Sequence, residues 1–197
     1  DTLQTRLSQK HLYLPLSYGY TEIESNLNQL AAYLHIETPD FTGGKAKAGK
    51  ALKSAKEIIG DTPIAIDYTA TMRPIGLARL LIEHGFKVVA VYVDTINEEE
   101  RQDFIWMKEH APIMKLYSTL QVKMRFIHQN SDTKSLAIGQ KAAYFTGTTY
   151  FVNIVEGGGM YGFDGICHLM HLMEEAFLSE KDTKSLIQVK GLGCCCV

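Results

Sequence analysis

Two short stretches of this chain carry residue types whose spacing could do chemistry. Asp67-Tyr68-Thr69-Ala70-Thr71-Met72-Arg73 places a carboxylate, hydroxyls and a guanidinium just ahead of Pro74. Proline in that setting marks the first turn of a helix, and the amides of a helix N-terminus favour an anion. The loop lacks G-x-G-x-x-G, and a dinucleotide pyrophosphate needs those glycines for close backbone approach, so a nicotinamide site is not expected. No Walker sequence occurs either. The second stretch, Glu156 to Gly165, has glycine at 157, 158, 159, 162 and 165. Glycines permit backbone geometry, or approach to a ligand, that side chains forbid. The plainer alternative is a flexible connection with Asp164 beside a helix N-terminus.

The thiols and imidazoles are less informative. Cys167 and His171 are four apart and share a helix face, as a metal pair requires. Two ligands do not make a site, and no third is tied to them by spacing. Core packing for Cys167 and exposure for a histidine are the expectation. Met160, Met170, Leu172 and Met173 suggest an apolar or interface face. Cys194, Cys195 and Cys196 crowd the end, where adjacent cysteines do not build a secreted disulfide framework. A prenylation box there would need aliphatic middle positions. A reducing, cytoplasmic compartment is therefore expected, with 191–197 an unstructured tail or a cut end. The chain starts at Asp1 without an initiator methionine, so a segment of a longer protein is the expectation.

The elements that must position these residues are legible from period and punctuation. Thr21 with Glu24 has the form of a capping box, and Ile23, Leu27, Leu30, Ala31 and Leu34 follow a helical period. Lys45 to Ile59 is a second helix ended by Gly60. Its lysines spread around the helix and read as a solvated face. From Pro63 the pattern alternates strand and helix: strands at Pro63–Ile66, Phe86–Val93, Ile113–Tyr117, Ser135–Ile138 and Tyr150–Val155. Between them lie helices from Pro74 to Gly85, after Asn97, over Gln140–Phe145, and from Gly162 through Phe177. Short apolar strands alternating with helices predict a parallel sheet covered on both faces. Such sheets bind ligands beyond the carboxyl ends of their strands. That rule selects the loops 67–74, 94–97, 139–140 and 156–165.

Composition removes several classes. With 197 residues, 46% of them hydrophobic, and a net charge of −2, the chain is neither disordered nor a bulk-charge nucleic-acid binder. No apolar run is long enough for a membrane span, and the polar stretch from Asp1 to Leu14 is not expected to act as a signal peptide. The organisation expected is a helical segment over 1–61, an α/β domain over 62–190 and the tail.

Three segments, in order, resemble nitrogenase component 1, the molybdenum-iron protein and its relatives. Met72-Arg73-Pro74, followed by a helix ending in Glu83-His84-Gly85-Phe86-Lys87-Val88-Val89, is similar to the family's strand-(G-G-L-R-P)-helix-strand unit. Leu136 to Phe145 is similar to its strand and short lysine-bearing helix. Gly159-Met160-Tyr161-Gly162-Phe163-Asp164-Gly165 is similar to its aromatic-glycine-aromatic-aspartate-glycine turn. The resemblance implies a three-layer Rossmann-like domain with a mainly parallel sheet. It implies an oxidoreductase, a homo- or hetero-oligomer with a related subunit, fed with electrons by an ATP-dependent iron-sulfur reductase. The site would be a metallocluster, such as an iron-sulfur cluster, or a tetrapyrrole. Arg73 occupies the place of an arginine that hydrogen-bonds the cofactor, and such a donor stabilises charge on a reduced centre.

Departures narrow the expectation. Ala70 and Thr71 replace the paired glycines, and the strand Tyr150 to Glu156 has no histidine or cysteine where the family's ligand falls. The cluster cysteines of the family have no counterpart here. Dinitrogen reduction is therefore not expected. The residues assigned to a cofactor or substrate cavity are Thr71, Arg73, Asp94, Gly157, Gly158 and Gly159, with no catalytic residue or metal ligand assigned. The alternative is a non-catalytic scaffold or ligand-binding module for cofactor assembly on the same fold.

Overall fold

A computed structural model describes residues 5–6, 8, 10–126, 133–183 and 185–186. Cys194 to Cys196 lie outside the described residues, so the tail expectation falls there too. Helices α1 (Tyr20–Leu34) and α2 (Thr42–Ile59) precede β1 (Ile64–Asp67), α3 (Pro74–Glu83) and β2 (Val88–Val93). Then follow a 3-10 turn (Glu98–Glu100), α4 (Arg101–His110), β3 (Lys115–Ser118) and a second 3-10 turn (Val122–Phe126). The chain continues as β4 (Leu136–Ile138), α5 (Gln140–Thr146), β5 (Phe151–Val152) and α6 (Gly162–Leu178). The sheet has five strands in the order β3-β2-β1-β4-β5, every pair parallel. This is the expected α/β Rossmann-like architecture, with its switch point between β1 and β4.

Side-chain alternation divides the sheet between two cores. Ile64, Ile66, Val91, Val93, Leu136, Ile138 and Val152 join the larger one with α2, α3 and α6. Ala65, Ala90, Tyr92, Ala137 and Phe151 join the smaller one with Ala142 and Ala143 of α5. One face is thus clad by long amphipathic helices; among the described residues the other is clad mainly by the short α5, with Met124 and Leu186 beside it, giving three layers of unequal thickness. Ala48, Leu52, Ala55 and Ile59 of α2 pack along α6, where Ile166, Leu169, Met170 and Met173 form the facing stripe.

Local punctuation explains most boundaries. Pro74 occupies the first turn of α3, and Gly60 ends α2 at a φ of 60°. Several boundaries move: α2 begins at Thr42 rather than Lys45 and β2 at Val88 rather than Phe86, and three other shifts bear on the site. Helix α1 starts at Tyr20 behind Gly19, so Glu22, not Glu24, holds the third position, and its carboxylate folds back to within 3.7 Å of where a Cβ on Gly19 would lie. Strand β3 begins at Lys115, and Ile113 projects from the preceding loop, 92% exposed. Strand β5 is only Phe151–Val152, because its continuation leaves the sheet to pair with the loop after β1.

Candidate functional site

At the carboxyl end of β1 the chain turns at Asp67, which is fully buried. Its carboxylate accepts hydrogen bonds from the Thr69 amide at 2.7 Å and the Ala142 amide at 2.6 Å. Burial pushes its pKa up, while the Thr69 and Ala142 donors pull it down. The carboxylate sits so close to Gly139 that a Cβ there would fall 2.2 Å from Oδ2, and Gly139 also has a φ of 104°. Asp67 thereby fixes α5 to the switch point. Beside it the Lys141 ammonium donates to the Tyr68 hydroxyl.

Thr71 and Arg73 are buried as well. The Thr71 hydroxyl pairs with that of Tyr18 at 2.7 Å and accepts from the Arg73 amide. The Tyr18 phenol is pushed up to about 12 by burial. Nη1 of Arg73 donates to the Leu16 carbonyl at 2.9 Å and to Glu22 at 3.2 Å. Nη2 donates to the Glu99 carbonyl at 3.1 Å and to Asp103 at 2.6 Å. Only Nε is left without a partner. The guanidinium therefore ties α1, the turn before α4 and α4 to the loop after β1. Asp103 is shared with Arg79 at 3.2 Å. Glu100, 1% exposed, accepts from the Ile75 amide at 2.7 Å and so caps α3. Burial lifts its pKa to about 7, against the pull of the Ile75 and Gly76 amides and Arg73. A cleft of about 230 Å³ opens beside this network, bordered by Glu22, Gly76, Arg79, Glu83 and Asp103.

The glycine-rich stretch folds over the same loop. The Glu156 amide donates to Thr69 at 2.8 Å and the Gly157 amide to Ala70 at 2.7 Å. Gly157, Gly158 and Gly159 have φ values of 83°, 56° and 77°, backbone that favours glycine. Gly157 is buried, while Gly158 and Gly159 face solvent. Gly165 lets α6 start tightly, since a Cβ would meet the Met160 carbonyl carbon at 2.6 Å.

Thr71, Arg73 and Gly157 are thus brought together beneath residues 13–19. Asp94 lies at the end of β2, where its carboxylate accepts from the Thr119 hydroxyl, and burial raises its pKa. Leu16, Tyr18, Glu22, Glu99 and Asp103 were not among the residues the sequence singled out. Nothing local to them signals a shared arginine.

Cys167 is half-buried on α6, and burial raises its pKa. His171 is exposed and bridges Glu175 at 3.3 Å. Among the described residues no group of three or more His, Cys, Asp or Glu side chains is arranged to hold a metal ion. No helix among them is long and apolar enough to cross a membrane.

No protein-family model matches the chain, and no curated protein matches it in sequence. Among solved structures it is similar to one described as "Nitrogenase Cp1 at pH 6.5", with a TM-score of 0.57 and 18% identity. The likeness covers 90% of this chain and 42% of that one. The chain therefore shares a fold with a nitrogenase chain and spans less than half of its length.

Proposed function

We propose that this chain is a subunit, or part of one, of a nitrogenase component 1-like oxidoreductase that does not itself reduce dinitrogen. Its carboxyl rim forms one wall of a redox site, with Thr71, Arg73, Asp94 and Gly157 to Gly159 on that wall. The observation that carries this reading is positional. The three segments bearing the family resemblance fall at the carboxyl ends of β1, β4 and β5, flanking the β1/β4 switch point. A related subunit, an ATP-dependent iron-sulfur reductase and a cytoplasmic setting belong to the same proposal.

The described residues do not fit a metallocluster held by this stretch alone. No cysteine or histidine stands at the rim, and Arg73 has both terminal nitrogens on internal acceptors. That saturation favours a second reading, a scaffold or ligand-binding module that keeps the fold without turnover. Anaerobic purification of the native protein, with iron and acid-labile sulfide measured per chain, separates the two. Stoichiometric iron and sulfide support the redox reading; a folded, colourless, metal-free protein supports the scaffold and ends the enzyme claim.

A further inference from the structure

We propose that residues 13–17 are a strap closed over the carboxyl rim, which lifts about Tyr18 to let a ligand reach Arg73 and Gly157. The inference rests on the reading that these two residues line the site. The strap touches three loops at once. The Tyr13 hydroxyl donates to Glu99 in the turn after β2. The Leu16 carbonyl accepts from Arg73 in the loop after β1. The Leu16 side chain lies 3.8 Å from where a Cβ on Gly157 would sit. Pro15 completes the closure, its carbonyl accepting from Tyr161 at 3.1 Å and from Asn26 at 2.9 Å.

The way the strap is held sets it apart from the rest of the rim. Among the described residues, no backbone–backbone hydrogen bond ties 13–17 to another segment. Every polar tie comes from a side chain, so the strap can leave without breaking a sheet ladder or a helix. Tyr18 differs: its ring is in the core and its hydroxyl is on Thr71, which makes it the pivot. Asn26 is the latch, a buried amide that donates to both Pro15 O and Ser17 Oγ. When the strap lifts, Nη1 of Arg73 loses a neutral acceptor, and an acceptor on the ligand takes the place of the Leu16 carbonyl.

Phenylglyoxal labelling of the intact chain, read residue by residue by mass spectrometry, tests this without knowing the ligand. Arg101, whose side chain is 66% exposed, is the internal standard. Asn26→Ala should raise the Arg73-to-Arg101 labelling ratio about tenfold in the absence of denaturant, the scale of one or two buried hydrogen bonds. Tyr161→Phe removes a partly exposed hydroxyl that donates to Pro15 and accepts from Asn26 and should raise it less; it carries the test if Asn26→Ala does not fold. An unchanged ratio in the folded variants overturns the strap. So does Arg73 labelling that grows only with the fraction globally unfolded in urea. Metal analysis of the same preparations separates this from the function. A strap that lifts on a metal-free protein sinks the redox reading alone, and a cluster-bearing protein with an unmoved ratio sinks the strap alone.

Discussion

Replacing Glu100 by glutamine should flatten one limb of the chain's stability against pH. Glu100 is buried where it caps α3, and burial holds its pKa near 7, above the ordinary 4.5 of glutamate. An acid with a raised folded-state pKa keeps its proton in the native state after the unfolded chain has lost it. Between those two values the native state binds more protons, so unfolding free energy falls as pH rises. Integrated from 4.5 to about 7, that loss is about 3 kcal/mol, after which the contribution is flat. Urea unfolding at pH 5, 6, 7 and 8 on wild type and Glu100→Gln reads it directly. Below pH 5 the two should be close. By pH 8 the variant should be the more stable by up to about 3 kcal/mol, because it no longer buries a charge. Taking the difference between the proteins removes other groups. Asp67, raised by burial, would add a fall of the same sign. His84, lowered by burial, adds a rise with pH below about 6.5. A difference independent of pH would refute the reasoning. A variant less stable at pH 8 would show instead that the ionised carboxylate is worth more to α3 than its burial costs.

Three further changes probe the joints of the rim. Gly139→Ala must hold a φ of 104° and bring its Cβ within 2.2 Å of Asp67 Oδ2, so a loss of about 3 kcal/mol or more is expected in urea unfolding. A wild-type midpoint would deny that Asp67 fixes α5. Asp103→Asn leaves Arg73 and Arg79 without the buried carboxylate they share, and should cost about 3 kcal/mol, measured the same way. Arg73→Lys cannot reach four acceptors from one ammonium and should destabilise by about 2 kcal/mol or more. Unchanged stability would mean that the fork is not what ties these loops.

What could be read in the sequence follows the range of the forces involved. Pro74 and Gly60 act within one helical turn, so their elements appear where the pattern puts them. The parallel sheet was legible because buried strands leave short apolar runs separated by helical lengths. Helix α1 starts earlier than Thr21 would suggest, at Tyr20, and its first-turn Glu22 is engaged by Arg73, fifty-one residues on. Strand β5 is short because Glu156 and Gly157 bond to Thr69 and Ala70, a pairing with no local marker. The same holds for the site. The glycine run announced unusual backbone, and positive φ is found there. That Arg73 would meet Leu16, Glu99 and Asp103 depends on contacts across the chain, which periodicity does not carry.

The saturation of Arg73 constrains what a ligand there must be. Two of its four acceptors are carboxylates, Glu22 and Asp103, so its charge is already matched. A fully charged anion arriving at Nη1 would face those carboxylates across the same guanidinium. The group that replaces the Leu16 carbonyl is therefore better neutral, an acceptor for one N–H and not a counter-ion. Binding that exchanges one neutral acceptor for another moves little net charge and should vary weakly with salt. An affinity that falls steeply between low and physiological ionic strength would instead mean that the ligand is an anion that displaces the side chain of Glu22, the more exposed of the two carboxylates. Glu22→Gln would then tighten binding at low salt, because Arg73 is left with one carboxylate fewer, and would leave the affinity unchanged if the charge lies elsewhere.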